Sequence, residues 1–405
     1  MNTYYFILAA CLLIICSYLI NLFTNKRGIP AVLLLLLLGI GARELLQYYH
    51  LSYPVPQSLV ELLGIIGLIM IVLEAGLDIT ITSSYQLKLV KNAFLSALFI
   101  LLLSAAVCAA FLYYYLHEPL INCIVYSLPF SIVSSAIVLP SVSHLSDWKK
   151  EFLVYETSFS DILGILIFNY IIAGSILEVS SISWFFGSII LGLLLSVVIS
   201  LILLYLLTHI STRVRFFLVF AVLIFLYAAG KLLHLPALVI ILLFGLLVSN
   251  FQNPLFTKFR KWINSSKAEE VHHLLHGVTA ETSFIVRTFF FFLFGFSIDI
   301  HLLTDVQVLV AGSFIVLLLF MIRYLYLRFF LKAHILPELF FMPRGLITIL
   351  LFYSIPSSFR LQQFNEGILL FIILATGLIM TAGSLLYGNK DIENINDEIP
   401  VTEQV

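Results

Sequence analysis

The chain of 405 residues is 61% apolar and 11% charged, with a formal net charge of −1. Its mean hydropathy is +1.11. Soluble domains are about 45–50% apolar, so this composition excludes a soluble globular fold and implies helices facing lipid or one another.

A helix needs about 20 mostly apolar residues to cross the hydrocarbon core. That rule divides the chain into thirteen predicted spans near 4–24, 30–47, 58–79, 92–115, 120–145, 152–173 and 183–208, then 213–230, 235–251, 270–298, 306–331, 336–356 and 365–387. The first span has no basic residue before it and no small-residue cleavage site after it, so it reads as a retained helix. Cys11, Cys16, Cys108 and Cys123 all fall inside apolar runs and read as small buried residues, not a zinc site or disulfide framework.

Basic residues fix an orientation, because cytoplasmic ends carry the excess of Lys and Arg. With the N-terminus outside, the inner ends hold Lys26, Arg27, Lys88, Lys91, Lys149, Lys150, Arg213, Arg215, Lys258, Arg260, Lys261, Lys267, Arg328, Lys332 and Lys390. The outer loops hold only Lys231 and Arg360. The expected class is therefore an all-α polytopic membrane protein, N-out and C-in. The loop near 252–269 is too short for a soluble domain. The tail 388–405, with five acidic residues and one Lys, reads as disordered cytoplasmic peptide. No Gly-rich phosphate loop follows a predicted strand, which leaves ATP-driven transport unsupported; no enzymatic activity, cofactor, nucleotide or nucleic-acid partner is expected.

The charges inside spans carry the chemistry. At a helix centre each costs about 2.5–3.5 kcal/mol, against about 0.3–0.6 returned by a Leu, Ile or Phe. Such residues are functional candidates whose partners must be named. Arg43 and Glu44 lie at an outer edge and read as a snorkelling pair; Glu61 reads as interfacial. Glu74, in the cytoplasmic half of the third span, lies at the depth of Glu156, and Asp78 reads as a solvated end residue. In the sixth span, YETSFSDILG places Asp161 near mid-membrane, with Thr157 four residues before it on the same face and Glu156 with Ser160 on the adjacent one. One carboxylate flanked by hydroxyls suits a desolvated monovalent cation. It equally suits a proton carrier, and a group that binds either can exchange one for the other. A buried carboxylate bonded to a neighbouring helix is the plainer reading.

Further along, His272 and His276 in HHLLH have helical i, i+4 spacing, compatible with a solvated helix end, a pH-sensing cluster or a metal pair. Arg287 needs a partner, either Glu281 or a group on another helix. Arg344 shares the depth of Glu74 and Glu156; the expected ion pair is Glu156 with Arg344, because an unpaired buried Arg is costly.

Two spans are interrupted. The fifth, LINCIVYSLPFSIVSSAIVLPSVSHL, holds Pro129, Pro140 and six serines, and the twelfth holds Pro343-Arg344-Gly345. Each is the middle member of a three-helix group, and the two run in opposite directions, as in transporters built from inverted repeats with broken helices. Carbonyls freed at a break around Ser134, Ser135 and Ala136 would line a cation site.

Taken together, these stretches resemble the monovalent cation–proton antiporter superfamily in its sodium–proton exchanger branch. ETSFSD is similar to that branch's ESxxND, VLEAGLDI to its third-span motif and FFFFLFGFSIDI to its FFxxxGLxID. LFMIRYLYL is similar to its helix containing VRPL, and MPRGLI to its PRG motif. The resemblance implies a homodimer, each protomer having a transport bundle (about 92–173 and 306–387) that rocks against dimerisation helices (about 1–79 and 183–298). It implies that Asp161 binds proton or cation, with Ser160, Thr157 and Glu74 near the ion. Glu156 and Arg344 would be a structural pair, supported by the basic residue Arg323. Two departures stand out. Ser160 replaces the branch's Asn, where electrogenic relatives have a second Asp, which favours electroneutral exchange. The family's Thr-Asp at the fifth-span break is matched by Ala136-Ile137. The function expected is proton exchange for Na⁺, K⁺ or Li⁺ across a prokaryote-like inner membrane. The alternatives are a non-exchanging channel or regulator of the same fold, and a proton-coupled organic anion carrier in which Arg344 or Arg323 faces substrate.

Overall fold

The computed structural model describes residues 3–25, 29–50, 56–79, 84–142, 145–172, 179–209, 215–232, 237–251, 265–331 and 336–387. The expected disordered tail lies outside them, as do Lys26, Arg27, Arg213, Lys258, Arg260, Lys261, Lys332 and Lys390. Among the described residues the secondary structure is helical, without a strand. The helices in chain order are α1 Thr3–Asn25, α2 Ala31–Tyr48, α3 Gln57–Asp78, α4 Ser84–Leu116, α5 Leu120–Ser131, α6 Ser135–Val138 and α7 Asp147–Ile172. They continue as α8 Val179–His209, α9 Arg215–Leu232, α10 Ala237–Ser249, α11 Ser265–Ser297, α12 Val306–Tyr326, α13 Leu346–Tyr353 and α14 Gly367–Tyr387.

Helix is the form these sequences must take. Away from water, every N–H and C=O needs a partner inside the chain, and a helix supplies it within the segment. Among the described residues eight helical segments are long and apolar enough to cross a membrane. The segment α7, which carries Glu156 and Asp161, is not one of these eight.

The chain divides into two compact units, residues 1–60 with 92–164 and 288–405, and residues 61–91 with 165–287. In the first unit α12 packs on α14, α1 on α2, and α5 on α13. In the second, α10 packs on α8 and α9.

Several of these contacts bring backbone against backbone. A Cβ on Gly39 would overlap the carbonyl oxygen of Phe292, and one on Gly295 that of Leu36, so α2 and the end of α11 meet at reciprocal glycines. In the second unit, a Cβ on Gly245 would lie 2.9 Å from Gly76 Cα and 3.0 Å from the Leu73 carbonyl oxygen. Without a hydrophobic drive between helices in lipid, small residues that allow such approach hold them together. By contrast, Gly41 and Gly187 have nothing within 4 Å of an added Cβ.

Replacing Gly295 with Val therefore forces two backbones apart and should destabilise the protein by about 1–3 kcal/mol, the usual cost of overpacking. Thermal unfolding in detergent should register the loss for Gly295→Val and no change for Gly41→Ala.

Candidate functional site

The site forms in the first unit, where α5 stops before the chain has finished its crossing. The helix ends at Ser131, Ile132 and Ser134 are extended (φ −76°, ψ 129° and φ −80°, ψ 115°), and α6 begins at Ser135. Leaving helical geometry strips three successive amides of their helical acceptors. Each finds a replacement on another element. The Val133 amide donates to Ser160 Oγ at 3.0 Å, the Ser134 amide to the Pro343 carbonyl at 2.9 Å, and the Ser135 amide to Asp161 Oδ2 at 3.1 Å. The Ser135 hydroxyl donates to the same Asp161 oxygen.

Asp161 is 1% exposed. Its second oxygen, Oδ1, is buried and has no hydrogen-bond partner among the described residues, and the same holds for Ser134 Oγ. Buried polar atoms are nearly always bonded, so an orphaned carboxylate oxygen marks a position suited to a proton or cation. Of the expected hydroxyls, Ser160 faces the break through Val133. Thr157 bonds within its own helix, to the Leu153 carbonyl at 2.8 Å, and is fully buried. Ala136 is buried in α6 and brings no side-chain oxygen.

The α7 helix reaches the break closely because Gly164, three residues past Asp161, has no side chain. An added Cβ there would overlap the end of the Ile132 side chain. From the other side comes the stretch before α13. Arg344 Nε donates to the Phe130 carbonyl at 2.7 Å, its Nη1 donates to the Met342 carbonyl, and its amide donates to Thr376 Oγ1 at 3.1 Å. Phe130 lies in the last turn of α5, whose carbonyls have no helical partner, so the guanidinium caps that end. Next to it, a Cβ on Gly345 would lie 2.7 Å from Ser134 Oγ.

The expected Glu156–Arg344 pair is corrected here. Glu156 binds Arg323 of α12, with Nη2 to Oε2 at 2.8 Å and Nη1 to Oε1 at 3.3 Å, and Ser96 Oγ donates to Oε1 at 2.6 Å. Both charges are buried. A bidentate carboxylate–guanidinium fork is the strongest arrangement open to either group, while Arg344 is taken up by carbonyls that only the break exposes. Arg323 Nε also donates to the Glu338 carbonyl at 2.9 Å, and Lys149 Nζ to the Leu336 carbonyl at 2.9 Å. The sequence reading missed Ser96 and Thr376; their one signal is a hydroxyl within an apolar helix.

In the second unit Glu74 pairs with Arg287 at 3.6 Å, which supplies the partner Arg287 required. Asp78, expected to be merely solvated, lies 2.7 Å from His276 Nε2. His272 turns to the Leu77 carbonyl at 3.1 Å, so the two imidazoles address α3 separately and share no ligand position. Arg43 and Glu44 are not a mutual pair either. Arg43 donates to the Ser297 carbonyl at 3.1 Å and lies 3.9 Å from Asp299, and Glu44 lies 3.9 Å from His301. Neighbours along a helix point apart, which is why adjacency misled.

The family model for the transmembrane region of sodium/hydrogen exchangers matches residues 10–386. Among solved structures, the chain is similar to the sodium proton antiporter MjNhaP1 of Methanocaldococcus jannaschii at pH 8. That match has TM-score 0.69 and 19% identity, covering 98% of this chain and 99% of the other. An electron-microscopy structure of MjNhaP1 matches with TM-score 0.68 and 19% identity, over 100% of both chains. Comparison with curated proteins finds no match.

Removing one member of the buried pair leaves the other charge stranded, at a cost of about 3–5 kcal/mol. Arg323→Leu should therefore lower thermal stability sharply, and Glu156→Met together with Arg323→Leu should recover most of the loss. Arg344→Leu should give no such recovery when combined with Glu156→Met.

Proposed function

The chain belongs to the sodium/hydrogen exchanger family, and we propose that it is a secondary antiporter exchanging protons for a monovalent cation, Na⁺ before K⁺ or Li⁺, at Asp161. The observation that carries this reading is the carboxylate of α7, buried against the break after α5 with one oxygen bonded and one left open. Asp161 holds either the proton or the cation, with Ser160, Thr157 and the Ser134–Ser135 break around it, and only the neutralised site moves between the two faces. An ionised carboxylate crossing a low-dielectric barrier is heavily penalised, so the occupancy rule and the coupling are the same rule.

With one carboxylate at the break, exchange is one for one and electroneutral. The proposed topology has thirteen crossings in inverted repeats, N-terminus outside and C-terminus inside a prokaryote-like inner membrane, in a homodimer. The organic anion alternative loses support because Arg323 is forked onto Glu156 and Arg344 donates to main-chain carbonyls.

Proteoliposomes with an imposed pH gradient test the proposal. Addition of Na⁺ should collapse the gradient for the native protein, and Asp161→Asn, folded by its gel-filtration profile, should abolish the response. Exchange surviving in Asp161→Asn overturns the mechanism. Conductance without coupling would indicate a channel, and silence of the native protein a regulator. Running Na⁺, Li⁺ and K⁺ in turn identifies the cargo.

A further inference from the structure

The two oxygens of Asp161 are not equivalent. Oδ2 receives the Ser135 amide at 3.1 Å and the Ser135 hydroxyl as well. Oδ1 is buried with no hydrogen-bond partner among the described residues. An amide N–H can only donate, so Oδ2 is an acceptor whichever protonation state Asp161 adopts. With both Ser135 contacts on Oδ2, the proton of a neutral carboxyl is better placed on the unbonded Oδ1. A cation would meet the same oxygen, because the approaches to Oδ2 are already filled by two donors.

We propose that Ser135 is the positioning residue of the exchange site, its amide and hydroxyl together holding Asp161 Oδ2 so that proton and monovalent cation compete for Oδ1 alone. The proposal deepens the antiport reading, and its transport arm rests on that reading. Ser135 itself is held from behind. Its neighbour Ser134 is tied through its amide to the Pro343 carbonyl, which lies outside α7 and anchors the break independently of the Asp161 helix. A donor to a carboxylate favours its charged form. The Ser135 hydroxyl thereby supports the deprotonated, cation-holding state that a second acidic residue would oppose. Restricting the chemistry to one oxygen also limits each cycle to one proton or one cation.

The test uses the full-length protein and two independent readouts. In acid–base infrared difference spectra, the protonated carboxyl of Asp161 should give a C=O band that Asp161→Asn removes. Ser135→Ala, which keeps the amide but loses the hydroxyl, should shift that band upward in frequency, and Ser135→Thr should return it. In proteoliposomes Ser135→Ala should raise the apparent Na⁺ KM about tenfold with kcat little changed, since a hydrogen bond to a charged group is worth roughly that factor. Ser135→Thr should restore the KM. An unmoved band with an unchanged KM in Ser135→Ala overturns the assignment, as does a Thr variant as impaired as the Ala one. If the native protein fails to exchange while the band still moves with Ser135, the antiport reading falls and the Ser135 assignment stands. Should Ser135→Ala not fold, Ser135→Cys, a weaker donor of similar size, should show a smaller shift of the same band.

Discussion

Main-chain groups out of reach of water must be bonded within the protein, and that single requirement organises the first unit. Ending α5 at Ser131 frees amides on one side and carbonyls on the other, in surroundings that cannot solvate them. The amides of Val133 and Ser135 take oxygens of α7, and the Phe130 carbonyl takes a guanidinium. A charged or hydroxyl side chain there is the complement of an interrupted helix, and neither would be tolerable without the other. Asp161 is thus tied to the break by the same accounting that lets the break exist.

The remaining intramembrane charges divide into a rigid class and an open one. Glu156 has three donor contacts, two from Arg323 and one from Ser96, and its burial leaves no capacity for cargo. Glu74 has its own counter-charge in Arg287. Asp161 faces no basic side chain among its hydrogen-bonding partners, only neutral donors from Ser135. A carboxylate neutralised by a fixed arginine has nothing to gain from a proton or a cation. One bonded only by dipoles has no fixed counter-charge beside it.

Much of this was legible from the chain. Apolar runs of bilayer length predicted helices because lipid allows little else, and Asp161 stood out because a mid-span carboxylate needs a reason. Pairing was less legible. Depth along the membrane normal follows from residue count, but the direction in which a side chain points does not. Glu156, Arg344 and Arg323 therefore could not be matched from depth alone. The decisive fact, that Arg344 answers the carbonyl of Phe130, depends on where a helix 214 residues away ends. Arg43 and Glu44 failed for the opposite reason, since sequence neighbours on a helix diverge. Ser96 and Thr376 were invisible because a lone hydroxyl in an apolar helix satisfies itself on its own backbone as readily as it serves another.

The glycine at 164 differs in kind from those at 39 and 295. Where α2 meets α11, carbonyl oxygens occupy the space a methyl group would need, and no rearrangement of side chains can vacate it. Against Gly164 stands the movable end of Ile132. Bulk can therefore be exchanged across that contact, a larger residue at 164 being accommodated by a smaller one at 132. The joint beside Asp161 is open to evolutionary adjustment of its spacing, while the α2–α11 crossing is closed to it.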